Sequence, residues 1–187
     1  MPHDVPRSDA PTRITVVGGG PAGLEYARVA ALRGHAVTLH EAGTRLGGQV
    51  LLAARAGWRR DMIGIVDWLT TEVEALGVDI RLSSYVDGPE ALVDDPSHVI
   101  IATGGIPDLA LPEGGEDLIV STWDILSGDV SPADEVLLYD ETGSHGALSS
   151  ADMVASAGAR LELVTPDRSV GRDIGGQNAP VYLRNLY

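Results

Sequence analysis

The chain contains no cysteine. Disulfides, thiolate zinc sites, a redox-active Cys-x-x-Cys pair and a cysteine-held iron–sulfur cluster are thereby excluded, so any redox chemistry needs a borrowed cofactor. Basic residues are also scarce: 13 Lys plus Arg stand against 27 Asp plus Glu in 187 residues, a formal net charge of −14. Such a surface repels a phosphate backbone and an anionic lipid surface, so the expectation is no nucleic-acid and no membrane partner. No window approaches the roughly 20 apolar residues of a membrane span. The opening stretch, Met1 to Pro11, is acidic and proline-rich where a secretory signal would be basic and then apolar, and the expected location is cytoplasmic. What is present, 44% apolar residues and 23 glycines, describes a folded chain with one ordinary domain or two small ones.

Arg13 to Val17 is a short, mostly apolar and β-branched run, as expected of a parallel strand buried on both faces. Glycines follow at once, and Ala22 to Arg33 is rich in good helix formers, with Leu24, Ala27, Ala30 and Ala31 on one stripe and Gly34 suited to the stop. Ala36 to His40 reads as a second strand with Glu41 at its carboxyl end. Further along, the pattern predicts a helix over Arg60–Leu76 stopped by Gly77, a strand over Val78–Leu82, a short helix over Pro89–Val93 and a strand over Val99–Ala102. Residues 106–133 carry Pro107, Pro112 and Pro132 with Gly114, Gly115 and Gly128, and mark a connection. A second strand, helix, strand pattern occupies Glu135–Tyr139, Ala147–Ala157 and Arg160–Val164, while the last 20 residues show no clear period. Successive units of this kind imply right-handed crossovers and parallel pairing. The expected class is α/β: a Rossmann-like three-layer parallel-sheet nucleotide-binding domain with a second, incomplete α/β unit. The expected boundaries are a tail at 1–12, the nucleotide-binding domain at 13–110, a connection at 111–133 and the partial second domain at 134–187.

The strongest local signal is Gly18-Gly19-Gly20-Pro21-Ala22-Gly23, which puts Gly18, Gly20 and Gly23 on G-x-G-x-x-G. With 23 glycines in 187 residues, chance supplies about 0.3 such matches, so context must decide. Here the glycines follow a strand and open a helix, and an acid, Glu41, closes the next strand. Gly18 permits the tight turn, Gly20 lets a pyrophosphate approach the backbone, and Gly23 lets the helix pack closely on the strand. The helix N-terminus offers free N–H groups and a partial positive charge. Glu41 would accept hydrogen bonds from the ribose hydroxyls of an adenosine and repel a 2′-phosphate, which favours FAD, NAD or ADP over NADP.

The stretch ITVVGGGPAGLEYARVAALRGHAVTLHEAGTRLGGQ resembles the FAD-binding opening of flavoproteins with two dinucleotide-binding domains. Within that group it is most similar to the carboxyl-terminal part of the 2,4-dienoyl-CoA reductase and trimethylamine dehydrogenase family, which is old yellow enzyme-like. The resemblance implies cofactor contacts from Gly18, Gly20, Pro21, Ala22, Gly23, Glu41 and Ala42. It adds a basic side chain, Arg45, and the turn Gly47-Gly48-Gln49 close to the cofactor. Val99 to Gly105 resembles the family's second signature, a strand and ATG turn, and brings in Thr103 and Gly104. No acid, base or nucleophile is nominated, and no metal ligands. FAD is the implied cofactor, with ADP alone the other possibility.

The second unit departs from the pattern. Tyr139 is followed by Asp140-Glu141-Thr142-Gly143-Ser144-His145-Gly146, with two acids where phosphate would have to approach. NAD(P) is therefore not expected there, and the departure resembles the trimethylamine dehydrogenase branch. His145 is expected to be an ordinary loop histidine. Trp58, Trp68 and Trp123 are expected as core or interface anchors, with Trp58 among Arg55, Arg59 and Arg60 also open to a role against a ligand or partner. Gly175-Gly176-Gln177-Asn178 reads as a surface turn.

The resemblance covers residues 13 to about 187 and only part of the family's full length. The family's later Gly-Asp segment, its FMN barrel and its iron–sulfur cysteines have no counterpart here. Three functions stay open: a nucleotide-binding module (FAD or ADP) of a flavin-dependent oxidoreductase, acting with a separate FMN barrel chain; a self-sufficient small FAD reductase; and a non-catalytic assembly domain with structural ADP. The first is preferred, which makes the chain part of an enzyme. Association with another chain, the barrel subunit or a second copy, is the expected partnership.

Overall fold

The computed structural model describes residues 4–89, 96–109 and 114–186. The chain divides into two compact units, Met1–Leu51 with Met62–Gly105 and Leu52–Asp61 with Ile106–Tyr187.

In the first unit, β1 (Arg13–Val17), α1 (Pro21–Leu32), β2 (Ala36–His40), a four-residue α2 (Val50–Ala53) whose last two residues belong to the second unit, α3 (Ile63–Ala75), β3 (Asp79–Arg81) and β4 (His98–Ile101) follow in order. The four strands form one sheet in the order β3-β2-β1-β4, and every pairing in it is parallel. Register runs Val17 beside His40 and beside Ile101, so the carboxyl ends of β1, β2 and β4 reach one edge together. Ligands of such sheets gather at that edge.

β1 has no exposed residue after Arg13, as its unbroken apolar run requires. Ile14, Val16, Leu24, Ala27, Ala30, Val37, Leu39, Leu69, Val73 and Val78 make one core between the sheet and the helices α1 and α3. The small alanines of α1 let it lie close to the strands. Arg28 ties the two helices on the outside: it pairs with Glu25, lies 3.9 Å from Glu72, and places its guanidinium 5.2 Å from the centre of the Trp68 ring. Gly34 and Gly77 follow α1 and α3 with φ of +93° and +74°, the left-handed geometry that ends a helix.

The helix expected over Arg60–Leu76 is shorter as an α-helix, because Gly57–Met62 forms a 3-10 turn before it. Of the helix expected over Pro89–Val93, residues 90–93 lie outside the described residues.

The second unit contains α4 (Thr122–Ser127), β5 (Glu135–Tyr139), α5 (His145–Ser156), β6 (Arg160–Val164) and α6 (Ala179–Leu186). β5 and β6 pair in parallel, Glu135 to Arg160 through Tyr139 to Val164, with α5 as the crossover. The architecture is therefore a Rossmann-like parallel α/β sheet with a small second parallel sheet.

Two helices in this unit lie where none was expected. α4 falls within the connection and is fixed by a reciprocal cap: the Ser121 hydroxyl accepts from the Asp124 N–H at 3.2 Å, and the Asp124 carboxylate accepts from the Ser121 N–H at 2.8 Å. α6 falls in the aperiodic tail and is anchored by Tyr182, whose side chain is fully buried against Leu148, Ile174 and Trp58. Gly175–Asn178 forms the exposed turn that leads into it. Among the described residues no helix is long and apolar enough to cross a membrane.

Candidate functional site

The carboxyl edge of the first sheet gathers the glycine loop. Gly18 takes φ +108°, and a Cβ there would lie 2.3 Å from the Ala102 carbonyl oxygen, so the position excludes any side chain on two counts. Its N–H donates to the His40 carbonyl at 2.8 Å, continuing the β1–β2 ladder into the turn. Gly23, one turn into α1, would put a Cβ 1.9 Å from the Gly18 carbonyl oxygen. Gly20 differs from both: a Cβ there would meet nothing nearer than the Gly48 Cα at 3.9 Å. It is the N-cap of α1, Pro21 stands just inside the helix where its missing N–H loses no bond, and Ala22 is exposed. No side chain caps α1 and its first turn carries no acid. The helix thus keeps its N-terminal donors and partial positive charge for an outside anion.

Glu41 leaves β2 at the same edge. One carboxylate oxygen accepts the Gly19 N–H at 2.7 Å and the other accepts the Gly43 N–H at 2.7 Å. A carboxylate oxygen has two acceptor directions, so each retains one after these bonds. The side chain is held in place and still able to accept two hydroxyls. Ala42 follows it on the exposed turn.

Two further segments close on this loop. The Gly47 N–H donates to the Gly19 carbonyl at 2.8 Å, and a Cβ on Gly48 would sit 3.1 Å from the Gly20 Cα. Gln49 Nε2 donates to the Gly105 carbonyl at 3.0 Å, joining the Gly-Gly-Gln turn to the turn after β4. Thr103 and Gly104 lie on that turn, exposed, with Gly104 at φ +71°. The structure therefore brings Gly18, Gly20, Pro21, Gly23, Glu41, Gly48, Gln49 and the Thr103–Gly104 turn to one edge. Arg45 is exposed and lines a groove with Thr70, Glu74 and Ile80 along α3 and β3.

Sequence reading passed over Gly19 and Gly43, whose backbone donors fix Glu41, because a backbone N–H carries no side-chain signature. It also passed over His40. That side chain is 4% exposed, and its Nδ1 lies 2.8 Å from the Ser84 hydroxyl in the turn after β3.

The second unit has a different turn at the matching place. Asp140 follows β5 and is 2% exposed. Its Oδ1 accepts the Thr142 N–H at 3.1 Å, the Gly143 N–H at 2.9 Å and the Thr142 hydroxyl at 3.3 Å. Its Oδ2 is buried without a hydrogen-bond partner among the described residues. His145, expected in a loop, instead opens α5 and packs. Its Nδ1 lies 3.2 Å from the Tyr182 hydroxyl, which also meets the Ser149 hydroxyl at 2.8 Å. Burial, and then the charge of Arg59, hold the His145 imidazole below its ordinary pKa. Trp58 meets Tyr182 edge to face at 5.0 Å and belongs to this packing cluster.

Comparison with known proteins agrees with this geometry. The NAD(P)-binding Rossmann-like domain family matches residues 16–65. The whole chain is 44% identical to a probable N-methylproline demethylase of Rhizobium meliloti, of which it covers 27%. It is 47% identical to an N,N-dimethylglycine/sarcosine dehydrogenase of Chromohalobacter salexigens, covering 100% of this chain and 28% of that protein. A solved 2-naphthoyl-CoA reductase complex superposes on 97% of this chain and 27% of its own at a TM-score of 0.91, with 27% identity. The chain thus spans little more than a quarter of the length of these relatives. It is a nucleotide-binding domain homologous to part of larger flavin oxidoreductases: an FAD/NAD(P)-binding Rossmann domain that matches the carboxyl-terminal part of the old yellow enzyme-like, dimethylglycine dehydrogenase and 2-naphthoyl-CoA reductase family.

Proposed function

We propose that this chain is the module that holds FAD, or its ADP half, within a flavin-dependent oxidoreductase, with residues 13–110 forming the nucleotide site and residues 134–187 a partial second domain. The observation that carries the reading is the Glu41 carboxylate, pinned by the Gly19 and Gly43 N–H groups beside the open Gly20. The residues fit the group. A pyrophosphate would lie over Gly20 at the uncapped start of α1, with Pro21, Ala22 and Gly23 shaping that turn, and the adenosine ribose would take the two free acceptor directions of Glu41. A 2′-phosphate in that place would be repelled by the same carboxylate, which selects FAD or ADP over NADP. The Gly48-Gln49 turn and the Thr103–Gly104 turn would border the rest of the cofactor, and Arg45 would reach it from the flank. Flavin, when bound, supplies the two-electron chemistry that a cysteine-free chain cannot.

The second unit would take no pyridine nucleotide, because the Thr142 and Gly143 N–H groups that an entering phosphate needs are already given to Asp140. The parent reaction, on this reading, is oxidation of an N-methylated amino acid, the substrate class named by the two bacterial relatives. Its electron path would run through an FMN barrel chain or domain beyond these residues.

An absorbance spectrum of the purified protein, followed by denaturation and mass identification of released nucleotide, tests the reading. Released FAD, or FAD taken up on addition, is the expected result. Released ADP with no flavin uptake would favour an assembly role. Absence of any nucleotide, before and after adding FAD or ADP, would overturn the proposal.

A further inference from the structure

The stretch ahead of β1 has no helix or strand, yet it is tied to the turn between α1 and β2 at both of its ends. The Ser8 N–H donates to the Arg33 carbonyl at 2.8 Å. Thr12 is held twice: its carbonyl accepts the Ala36 N–H at 3.0 Å, and its own N–H donates to the His35 Nδ1 at 3.1 Å. Between the two ties, Pro11 has no N–H to give, and the Ala10 N–H turns back to the Ser8 hydroxyl at 3.3 Å. Residues 8–12 thus form a strap over residues 33–36. The turn beneath them is fixed on its own account, because the His35 N–H donates to the Ala30 carbonyl at 3.1 Å.

One of these ties can be undone by a proton. A backbone N–H can only donate, so Nδ1 must present its lone pair to Thr12, and the ring is then neutral with its hydrogen on Nε2. A proton on Nδ1 sets two donors against each other. The Thr12 hydroxyl, 3.2 Å from the same nitrogen, can accept where the N–H cannot, so the protonated ring keeps a partner while the Thr12 N–H loses its own. The Ser8 bond is then a lone contact on an irregular segment, too little to offset the freedom of the residues it orders. We infer that His35 is a proton-operated catch: the neutral imidazole fastens residues 8–12 to the turn after α1, and the imidazolium lets them go while the turn stays in place. In the longer relatives, whose carboxyl-terminal part this chain matches, the corresponding stretch is where the module is entered, so the catch governs how firmly the module is tied to what precedes it. The inference does not depend on the nucleotide-binding reading. Other charged and titratable groups stand at this end of the sheet: Arg13, Asp79 and His98 begin β1, β3 and β4, Arg33 caps α1, and Arg7 and Asp9 lie beside or on the strap.

The test is NMR on the full chain, with protonation of His35 followed by its own ring shifts and amide exchange of Ser8 and Thr12 expressed as protection relative to an unstructured peptide at the same pH. In the neutral state the ring nitrogens should report the Nε2–H tautomer. As the ring takes up its proton, protection at Ser8 and Thr12 should fall about ten-fold while that of Val16 and Leu39 in the sheet stays where it was. His35→Gln, whose side-chain carbonyl can accept the Thr12 N–H and does not titrate, should keep the strap fastened throughout. His98→Gln should leave the response unchanged. An Nδ1–H tautomer in the neutral ring, or constant protection across its titration, would overturn the catch. So would an acid response that survives His35→Gln, which belongs to the carboxylates, or one abolished by His98→Gln. The tautomer and the native titration decide the matter even if a variant does not fold.

Discussion

The two units answer the same structural problem in opposite ways. Each has a parallel strand, a turn and a 12-residue helix whose first N–H groups need partners. In the first unit the nearby carboxylate is Glu41, delivered from the next strand, and it takes the N–H groups of Gly19 and Gly43 while leaving Gly20 and the start of α1 open. In the second unit the carboxylate is Asp140, the residue straight after the strand, and it turns back onto Thr142 and Gly143 to fill the turn from within. An acid placed 22 residues downstream leaves the turn open; an acid placed inside the turn fills it. Glycine use follows the same division. Gly18 and Gly23 are compelled by backbone contacts, whereas Gly20 has room for a side chain and none of the fold requires its absence.

That last contrast gives the largest expected effect. Gly23→Ala would force a Cβ against the Gly18 carbonyl, and overpacking of this kind should cost about 3 kcal/mol, read as a lower midpoint in urea unfolding. Gly20→Ala should leave that midpoint unchanged and weaken ADP binding, because its methyl group would enter only the space assigned to the pyrophosphate. Equal stability losses for the two variants would erase the distinction between a packing glycine and a binding glycine.

The next effect concerns the filled turn. Asp140→Ala should destabilise the second unit by about 2 kcal/mol, since it strands the buried Gly143 N–H. Asp140→Asn keeps an acceptor for that N–H and should cost less than half as much. If alanine and asparagine behave alike, Asp140 is not the internal partner of the turn.

Glu41→Arg probes the open turn in the same way. It should weaken ADP or FAD binding more than tenfold, equivalent to more than about 1.4 kcal/mol, by removing both of the proposed ribose acceptors and adding a charge that no longer excludes a 2′-phosphate. Unchanged affinity would remove Glu41 from the site.

These contrasts also mark what was legible in the sequence. β1, β2, β5 and β6 fall on the expected residues; in β1 and β2 the apolar run coincides with burial, whereas in β5 and β6 only Leu138 is buried and the β-branched and aliphatic content alone marks the strand. The glycine loop was legible because it lies directly between a strand and a helix and because Gly18 and Gly23 are compelled by backbone contacts. α6 was not, because its packed face is only Ala179, Tyr182 and Leu186, of which Tyr182 alone is fully buried, too few to stand out as a period. α4 was hidden for a different reason: six residues are too few for an apolar stripe, and its evidence is the Ser121–Asp124 cap inside a proline- and glycine-bearing stretch. The donors that fix Glu41 escaped because they belong to the backbone. The His40–Ser84 bond escaped because its partners are 44 residues apart.

The smallest effect separates the units by pH. His145 is held below its ordinary pKa of about 6.5 by burial and by Arg59, so the unfolded chain takes up this proton before the folded one does. The stabilising contribution is complete above about pH 6.5 and diminishes as pH falls through the interval between the unfolded and the folded values. In the protonated ring Nδ1 is a donor toward the Tyr182 hydroxyl, which then must turn its own hydrogen to Ser149. Thermal unfolding followed between pH 7.5 and 5 by the Trp58 and Tyr182 signals should therefore show the second unit losing stability on acidification, and His145→Gln should flatten that slope. A slope unchanged by the substitution would assign the acid sensitivity to carboxylates and leave His145 as a packing residue alone.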